Sequence, residues 1–225
     1  MKPMNEGHLA ILRRHMVEVI MIETDLMEEE LGKAALEQRV LTAIQRVPRH
    51  FFVPLSLAAY AYRDTPLPIG FDKTISQPFI GALMIDLLSP ESHEVVLEIG
   101  TGLGYQAAVL AELAARVWSV EIVEELASLA ELRLQQLGYS TISIRVGDGS
   151  RGWVEHAPYD RILVTAAADQ PPLPLLEQLK PGGRMVMPLG GAEEQQLTII
   201  DKDQLGNIFT QELIPVRFSR LETII

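Results

Sequence analysis

The sequence contains no cysteine, which excludes disulfide bonds, thiolate nucleophiles and cysteine-based metal sites. Basic residues are scarce, since 19 lysines and arginines stand against 30 aspartates and glutamates and give a net charge of −11. Binding to a nucleic-acid backbone needs clustered positive charge, so we expect no nucleic-acid partner. No apolar run approaches the roughly 20 residues that cross a membrane, and no signal-peptide pattern is present. We therefore expect a cytoplasmic protein without a membrane segment.

The pattern of apolar residues changes near Glu94. Before this point the apolar spacing is helical, and Pro78–Leu88 is typical of a helix with proline at its start. After it, short apolar strands alternate with helices, and two strands joined by a turn close the chain. This order predicts a Rossmann-like α/β fold with a mostly parallel twisted sheet, helices on both faces and a C-terminal antiparallel hairpin. We interpret residues 1–75 as a helical extension and residues 76–225 as the core of a single domain.

Two segments are rich in proline or glycine. The stretch from Arg63 to Lys73 is polar and contains prolines, and we assign it neither a helix nor a strand. Further along, Pro181-Gly182-Gly183 is expected to stop a short helix before a strand over Arg184–Met187.

A glycine-rich loop, Gly100-Thr101-Gly102-Leu103-Gly104, follows the apolar strand Val95–Ile99. Glycines allow a ligand to approach the backbone closely. The third glycine comes one position too early for a dinucleotide-binding loop, and Glu98 stands two residues before the first glycine. A carboxylate here would oppose a pyrophosphate, whereas it suits S-adenosylmethionine, which carries an ammonium group and a sulfonium centre.

Acidic residues also follow the next two strands. Glu121 lies about 20 residues beyond the loop, where a carboxylate accepts hydrogen bonds from ribose hydroxyls. Asp148 follows the third strand, where it is expected to accept a hydrogen bond from an adenine amino group. Singly, each acid would be read as a solvated loop carboxylate, but together they favour S-adenosylmethionine over NAD. The predicted cofactor-binding residues are Glu98, Gly100, Thr101, Gly102, Gly104, Tyr105, Glu121, Ile122, Asp148, Gly149 and Thr165.

Besides the glycine loop, three segments match a known family of methyltransferases, namely Arg46-Val47-Pro48-Arg49, Ile75-Ser76-Gln77-Pro78 and Leu179-Lys180-Pro181-Gly182-Gly183. On these segments the chain resembles the protein-L-isoaspartate O-methyltransferase family from about residue 39 to residue 218. The resemblance implies methyl transfer from S-adenosylmethionine, with S-adenosylhomocysteine as product, to the free carboxylate of L-isoaspartyl residues in damaged proteins and peptides. Some members of the family also act on D-aspartyl residues. The resemblance further implies that the ester collapses to a succinimide, which partly hydrolyses to aspartate, so that the reaction initiates repair.

The resemblance places the active-site hydroxyl of the family at Ser76, which we predict to be catalytic. A hydroxyl can donate a hydrogen bond to one carboxylate oxygen and direct the other at the methyl group. The acceptor carboxylate is already ionised near neutral pH, so no general base is required. An alternative role for Ser76 is to cap the helix that begins near Pro78. The predicted substrate-binding residues are Thr74, Ile75, Ser76, Ala166, Val216, Arg217 and Phe218.

The chain departs from the family pattern at Lys73, at Gly81 and in the polar segment Ser219–Ile225. One alternative is therefore a methyltransferase of the same fold that acts on a small-molecule carboxylate or hydroxyl. A second alternative is a binding module without turnover, which the retained acids and hydroxyl disfavour. The five histidines show no metal-ligand spacing, so no metal is expected, and a monomer is favoured.

Overall fold

The computed structural model describes residues 5–224, which form helices, short 3₁₀ segments and two sheets. Within this part of the chain, no helix has the length and apolar character needed to cross a membrane. The helices are α1 (Glu6–Leu26), α2 (Glu28–Leu31), α3 (Gln38–Arg46), α4 (Pro78–Leu88), α5 (Tyr105–Ala111), α6 (Glu124–Gln136) and α7 (Leu173–Gln178). The strands are β1 (Leu67–Gly70), β2 (Lys73–Ile75), β3 (Val95–Ile99), β4 (Arg116–Glu121), β5 (Ile142–Val146), β6 (Tyr159–Val164), β7 (Leu179–Gly190), β8 (Gln195–Lys202) and β9 (Ile208–Val216).

The main sheet has seven strands in the order β5-β4-β3-β6-β7-β8-β9. Strands β3 to β7 pair in parallel, whereas β8 is antiparallel to both β7 and β9. The chain proceeds from β3 outward to β5 and then returns to β6 on the other side of β3. Ligands of open α/β sheets bind beyond the carboxyl ends of the strands at such a reversal. The predicted fold, including its C-terminal antiparallel hairpin, is confirmed.

The sheet separates two apolar cores. Successive residues of a strand point to opposite faces, so Val96 joins the core that contains α1, α3, α4 and α5, while Leu97 joins the core that contains Leu175 of α7. All three side chains are fully buried. Burial on both faces explains why the central strands are almost continuously apolar in the sequence.

The polar stretch before Lys73, to which we assigned no helix or strand from the sequence, contains β1. Strand β1 pairs antiparallel with β2, and Leu67 lies opposite Ile75. The turn between the strands passes through Phe71 and Asp72, which both have positive φ values of 53° and 55°. Such a turn matches the twist of a hairpin. A strand of four residues that includes a proline gives too short a pattern for sequence analysis to detect.

The short helix ends at Gln178, close to its predicted end, but the predicted start of the next strand at Arg184 is wrong, because β7 already runs through Pro181-Gly182-Gly183. The pairing of β6 with β7 shifts register there, and Gly182 adopts a positive φ of 79°. An irregularity of this kind lets a strand absorb extra residues without ending. The strand therefore begins at Leu179 rather than at Arg184.

Candidate active site

A cavity of about 510 Å³ lies at the carboxyl ends of β3, β4 and β6. This volume is within the usual range for small-molecule sites. Its walls are the glycine loop after β3, the β1–β2 hairpin with the turn that follows, and the C-terminal segment Pro215–Glu222. Every residue predicted to bind cofactor or substrate lines the cavity except Glu98, Gly104 and Asp148.

The glycine loop requires its glycines for two different reasons. Gly100 has a φ of 95°, and a Cβ atom there would lie 2.4 Å from Oγ1 of Thr165. Gly100 therefore allows the loop to pack closely against Thr165, which also lines the cavity. Gly104 has a φ of 96°, and its Cβ would lie 3.1 Å from Leu134 of α6. Gly104 thus serves the packing of α5 against α6, which accounts for its place outside the cavity lining.

Glu121 is held rigidly at the end of β4. Its Oε2 atom accepts a hydrogen bond of 2.7 Å from the amide of Gly102, and its Oε1 atom accepts one of 3.0 Å from the amide of Val123. The residue is only 5% exposed, yet it lines the cavity. Each carboxylate oxygen has lone pairs beyond the one used by the backbone. Glu121 can therefore accept hydrogen bonds from two adjacent hydroxyl groups of a ligand.

Glu98 lies beneath the cavity wall rather than in it. Its Oε2 atom accepts a hydrogen bond from the Ser119 hydroxyl, which is 2.6 Å from the Thr101 hydroxyl. Its Oε1 atom is buried and has no partner within residues 5–224. Burial raises the pKa of Glu98 to about 8, and the nearby Glu121 acts in the same direction. The role of Glu98 in donor binding stays a prediction.

The raised pKa of Glu98 predicts a specific pH dependence of stability. Between about pH 4.5 and about pH 8 the unfolded chain loses this proton while the folded protein retains it. Unfolding therefore releases a proton, and the free energy of unfolding falls as the pH rises through this window. We expect Glu98→Gln to raise the melting temperature relative to the unaltered protein at alkaline pH, with a smaller gain at acidic pH. Calorimetry across the window tests this, and parallel pH profiles for the two proteins would contradict it.

Asp148 is engaged by its own turn and by the C-terminal segment. Its Oδ1 atom accepts hydrogen bonds of 2.9 Å and 2.7 Å from the amide and hydroxyl of Ser150. Its Oδ2 atom accepts one of 3.2 Å from the amide of Ile224. Burial alone would raise the pKa of Asp148, but the hydrogen bonds from Ser150 and Ile224 hold it below its ordinary value. Its neighbour Gly149 lines the cavity, and contact of Asp148 with adenine stays a prediction.

Ser76 lies on the cavity wall between β2 and α4. The alternative role of Ser76 as a helix cap is wrong, because the N-cap position of α4 is Gln77. The side chain that caps this helix is Asp64, whose Oδ1 atom accepts a hydrogen bond of 2.8 Å from the amide of Phe79. The same carboxylate accepts one of 2.7 Å from the Gln77 side chain. Within residues 5–224 the Ser76 hydroxyl has no hydrogen-bond partner, which leaves it available to a ligand.

The C-terminal wall of the cavity includes the predicted residues Val216, Arg217 and Phe218 and extends to Ser219–Glu222, which sequence analysis missed. The amide of Ala167 donates to Ser219 and the amide of Leu221 donates to Ala167, each over 2.8 Å, so the segment is tied beside the end of β6. At the end of the segment, the carboxylate of Glu222 contacts the ammonium group of Lys73, which links the segment to the β1–β2 hairpin. Backbone pairing of this kind depends on tertiary position, so no local signal in the sequence indicates it.

Comparison with known proteins identifies the family. The family model described as protein-L-isoaspartate(D-aspartate) O-methyltransferase matches residues 21–223. The chain belongs to this family. A relative from a Polaromonas species, named protein-L-isoaspartate O-methyltransferase 1, is 53% identical over 219 residues, which cover 97% of this chain and 93% of the relative.

Solved structures agree with this assignment. One protein-L-isoaspartate O-methyltransferase matches with a TM-score of 0.75 and 28% identity, over 89% of this chain and 65% of that chain. A putative protein-L-isoaspartate O-methyltransferase from Plasmodium falciparum, solved in complex with S-adenosyl-L-homocysteine, shares the fold with a TM-score of 0.76 and 20% identity. This match covers 94% of this chain and 99% of the other. The family, the methyltransferase class and the methyl donor expected from the sequence are confirmed.

Proposed function

We propose that this enzyme transfers a methyl group from S-adenosyl-L-methionine to the free carboxylate of L-isoaspartyl residues in damaged proteins and peptides, and so initiates their repair. The single observation that supports this most strongly is that one cavity brings together the glycine loop, Glu121 and the unpaired hydroxyl of Ser76. The glycine loop and Glu121 are suited to hold the methyl donor, and the Ser76 hydroxyl is suited to orient the acceptor carboxylate.

The residues of the donor half fit S-adenosylmethionine. Gly100 lets the loop backbone lie against Thr165, where a Cβ atom would clash, and the ordered Glu121 carboxylate can bind ribose hydroxyls. When bound, the donor supplies an activated methyl group on a sulfonium centre. Ile122, which follows Glu121 directly, and Gly149, which follows β5, add further surface to the cavity. We propose that these residues, with Thr101, Gly102, Tyr105 and Thr165, bind the donor.

The acceptor half has to align a carboxylate and exclude water from it. We propose that Ser76 donates a hydrogen bond to one carboxylate oxygen, which directs the other toward the methyl group. Thr74 and Ile75 line the cavity next to Ser76, and Ala166 adds a small side chain to its lining. We propose that the segment 216–218, which also lines the cavity, contacts the peptide backbone. A carboxylate that is already ionised needs only this alignment and desolvation to react.

A matched pair of peptides tests the function. One peptide contains an L-isoaspartyl residue and the other has the same sequence with a normal aspartyl residue, and both are incubated with labelled S-adenosylmethionine. We expect label in the isoaspartyl peptide alone. Equal labelling of both peptides, or none in either, would refute the proposal. Label that appears instead in small carboxylic acids or alcohols would support the alternative of a small-molecule methyltransferase.

Several finer features are also proposals. A third peptide with a D-aspartyl residue tests for the second acceptor of the family. The net charge of −11 supports the absence of a nucleic-acid partner, which a DNA mobility-shift assay tests. Light scattering tests whether the protein is a monomer, as we propose. Cell fractionation tests the proposed cytoplasmic location. Limited proteolysis tests the proposed boundary between the helical extension, residues 1–75, and the core, residues 76–225.

A further inference from the structure

Arg49 is a buried cation without an acidic partner. It follows α3, its exposed fraction is 1%, and it is among the largest side chains that are fully buried. Within residues 5–224, no carboxylate oxygen lies within 4.0 Å of its guanidinium, since every ion pair there involves other residues. Removing an unpaired charge from water is unfavourable. The buried guanidinium must therefore be stabilised by contacts other than an ion pair.

The guanidinium of Arg49 joins three segments. One terminal nitrogen donates a hydrogen bond of 2.6 Å to the carbonyl oxygen of Ser76, and Nε donates one of 2.8 Å to the carbonyl of Ala61. Its central carbon lies 4.8 Å from the centre of the Tyr105 ring, in the geometry of a cation–π contact. Both Ser76 and Tyr105 line the cavity, and Tyr105 opens the helix after the glycine loop. From its buried position, Arg49 thus connects Ser76, on the proposed acceptor side of the cavity, with Tyr105, on the proposed donor side.

We propose that Arg49 is a positioning residue that fixes the direction of the Ser76 hydroxyl. This inference rests on the proposed function. The hydrogen bond to the Ser76 carbonyl orients the peptide plane of the residue that carries the hydroxyl. Directly after Ser76, Asp64 accepts hydrogen bonds from Gln77 and Phe79. The turn is therefore anchored at two points, and Arg49 provides the anchor that acts on Ser76 itself.

The chemistry of the guanidinium explains why this position suits arginine. A planar fork can donate to two carbonyl groups in fixed directions and stack on an aromatic ring at the same time. An ammonium group is a point charge on a flexible stem, so lysine cannot satisfy all three partners together. Arg49→Lys therefore preserves the charge while it releases Ser76.

The test is a double-mutant cycle between Arg49→Lys and Ser76→Ala, measured as kcat and KM with an isoaspartyl peptide and as the affinity for S-adenosylhomocysteine. In the unaltered background we expect Arg49→Lys to lower kcat about tenfold, because a small misplacement of a catalytic group is costly. The affinity for S-adenosylhomocysteine should stay within about twofold. In the Ser76→Ala background the same change should alter kcat by less than about twofold, since the hydroxyl to be positioned is gone. Arg46→Lys is the matched control, because Arg46 is exposed on the surface and contacts Glu112.

The outcomes separate the two proposals. Equal losses of kcat in both backgrounds, or no effect of Ser76→Ala, would overturn the positioning role while the enzyme remains an isoaspartyl methyltransferase. Absence of turnover by the unaltered enzyme would overturn the proposed function and the role of Arg49 with it. Arg49→Gln is a second variant at this position, which can still donate a hydrogen bond to the Ser76 carbonyl. It keeps the proposal testable if Arg49→Lys does not fold. If both variants at this position fail to bind S-adenosylhomocysteine, Arg49 belongs to the scaffold and the proposal is wrong.

Discussion

Replacement of Ser76 by alanine is expected to lower kcat with an isoaspartyl peptide about 100-fold, the usual cost of removing one preorganised donor from a reacting oxygen. The Ser76 hydroxyl lines the cavity and has no hydrogen-bond partner within the described chain. Its loss therefore leaves the carboxylate free to rotate while the wall itself stays in place. The affinity for S-adenosylhomocysteine, measured by titration calorimetry, should remain within about twofold because the donor contacts lie elsewhere.

Two variants control this experiment. Ser76→Thr retains a hydroxyl and should retain most of the activity, whereas Thr74→Val removes a neighbouring hydroxyl that is proposed to bind the substrate and should raise KM with little effect on kcat. If Ser76→Ala keeps kcat near that of the unaltered enzyme, Ser76 is not catalytic. An equally large loss in Thr74→Val would show that the effect is general to the wall rather than specific to Ser76.

Gly100→Ala should weaken the binding of S-adenosylhomocysteine by at least about 100-fold. The φ of 95° costs an L-residue about 1–2 kcal/mol, and the added Cβ would lie 2.4 Å from Oγ1 of Thr165. That hydroxyl is itself held by the carbonyls of Ile99 and Gly100, so it cannot withdraw without losing hydrogen bonds of 3.1 Å and 3.0 Å. The loop must shift instead, and the donor site shifts with it.

A second glycine provides the matched control for this prediction. Gly138 has a comparable φ of 82°, but a Cβ atom there would have no neighbour within 4 Å. Gly138→Ala should therefore lower stability by about 1–2 kcal/mol without altering donor binding. Adding Thr165→Ala to Gly100→Ala removes the clashing oxygen and should restore part of the affinity. Equal binding losses at both glycines would attribute the effect to general destabilisation rather than to the loop.

The sequence was sufficient to predict the sheet and the donor loop, because both depend on local patterns. Apolar strands such as Val95–Ile99 are buried on both faces and therefore stand out as continuous runs. The glycines after β3 have positive φ values, which other residues rarely adopt, so the residue type itself indicates the loop. Glu121 was predicted from its place at a strand end, and its carboxylate does line the cavity.

Features that depend on distant partners could not be predicted. The helix cap supplied by Asp64 lies 15 residues before the amide it binds, so the sequence suggested the nearer Ser76 instead. The depth of Glu98 beneath the wall depends on Ser119 in the adjacent strand. Likewise, the pairing of Ala167 with Ser219 joins parts of the chain that no local pattern connects.

The C-terminal segment has a practical consequence for redesign of this enzyme. Its residues Pro215–Glu222 line the cavity, and two residues further on the amide of Ile224 binds the carboxylate of Asp148. Changes made there to broaden the choice of peptides are therefore expected to disturb Asp148 as well, because one continuous piece of backbone reaches both places. Engineering of acceptor selectivity is better directed at Thr74, which lines the cavity and has no hydrogen bond to this segment within residues 5–224.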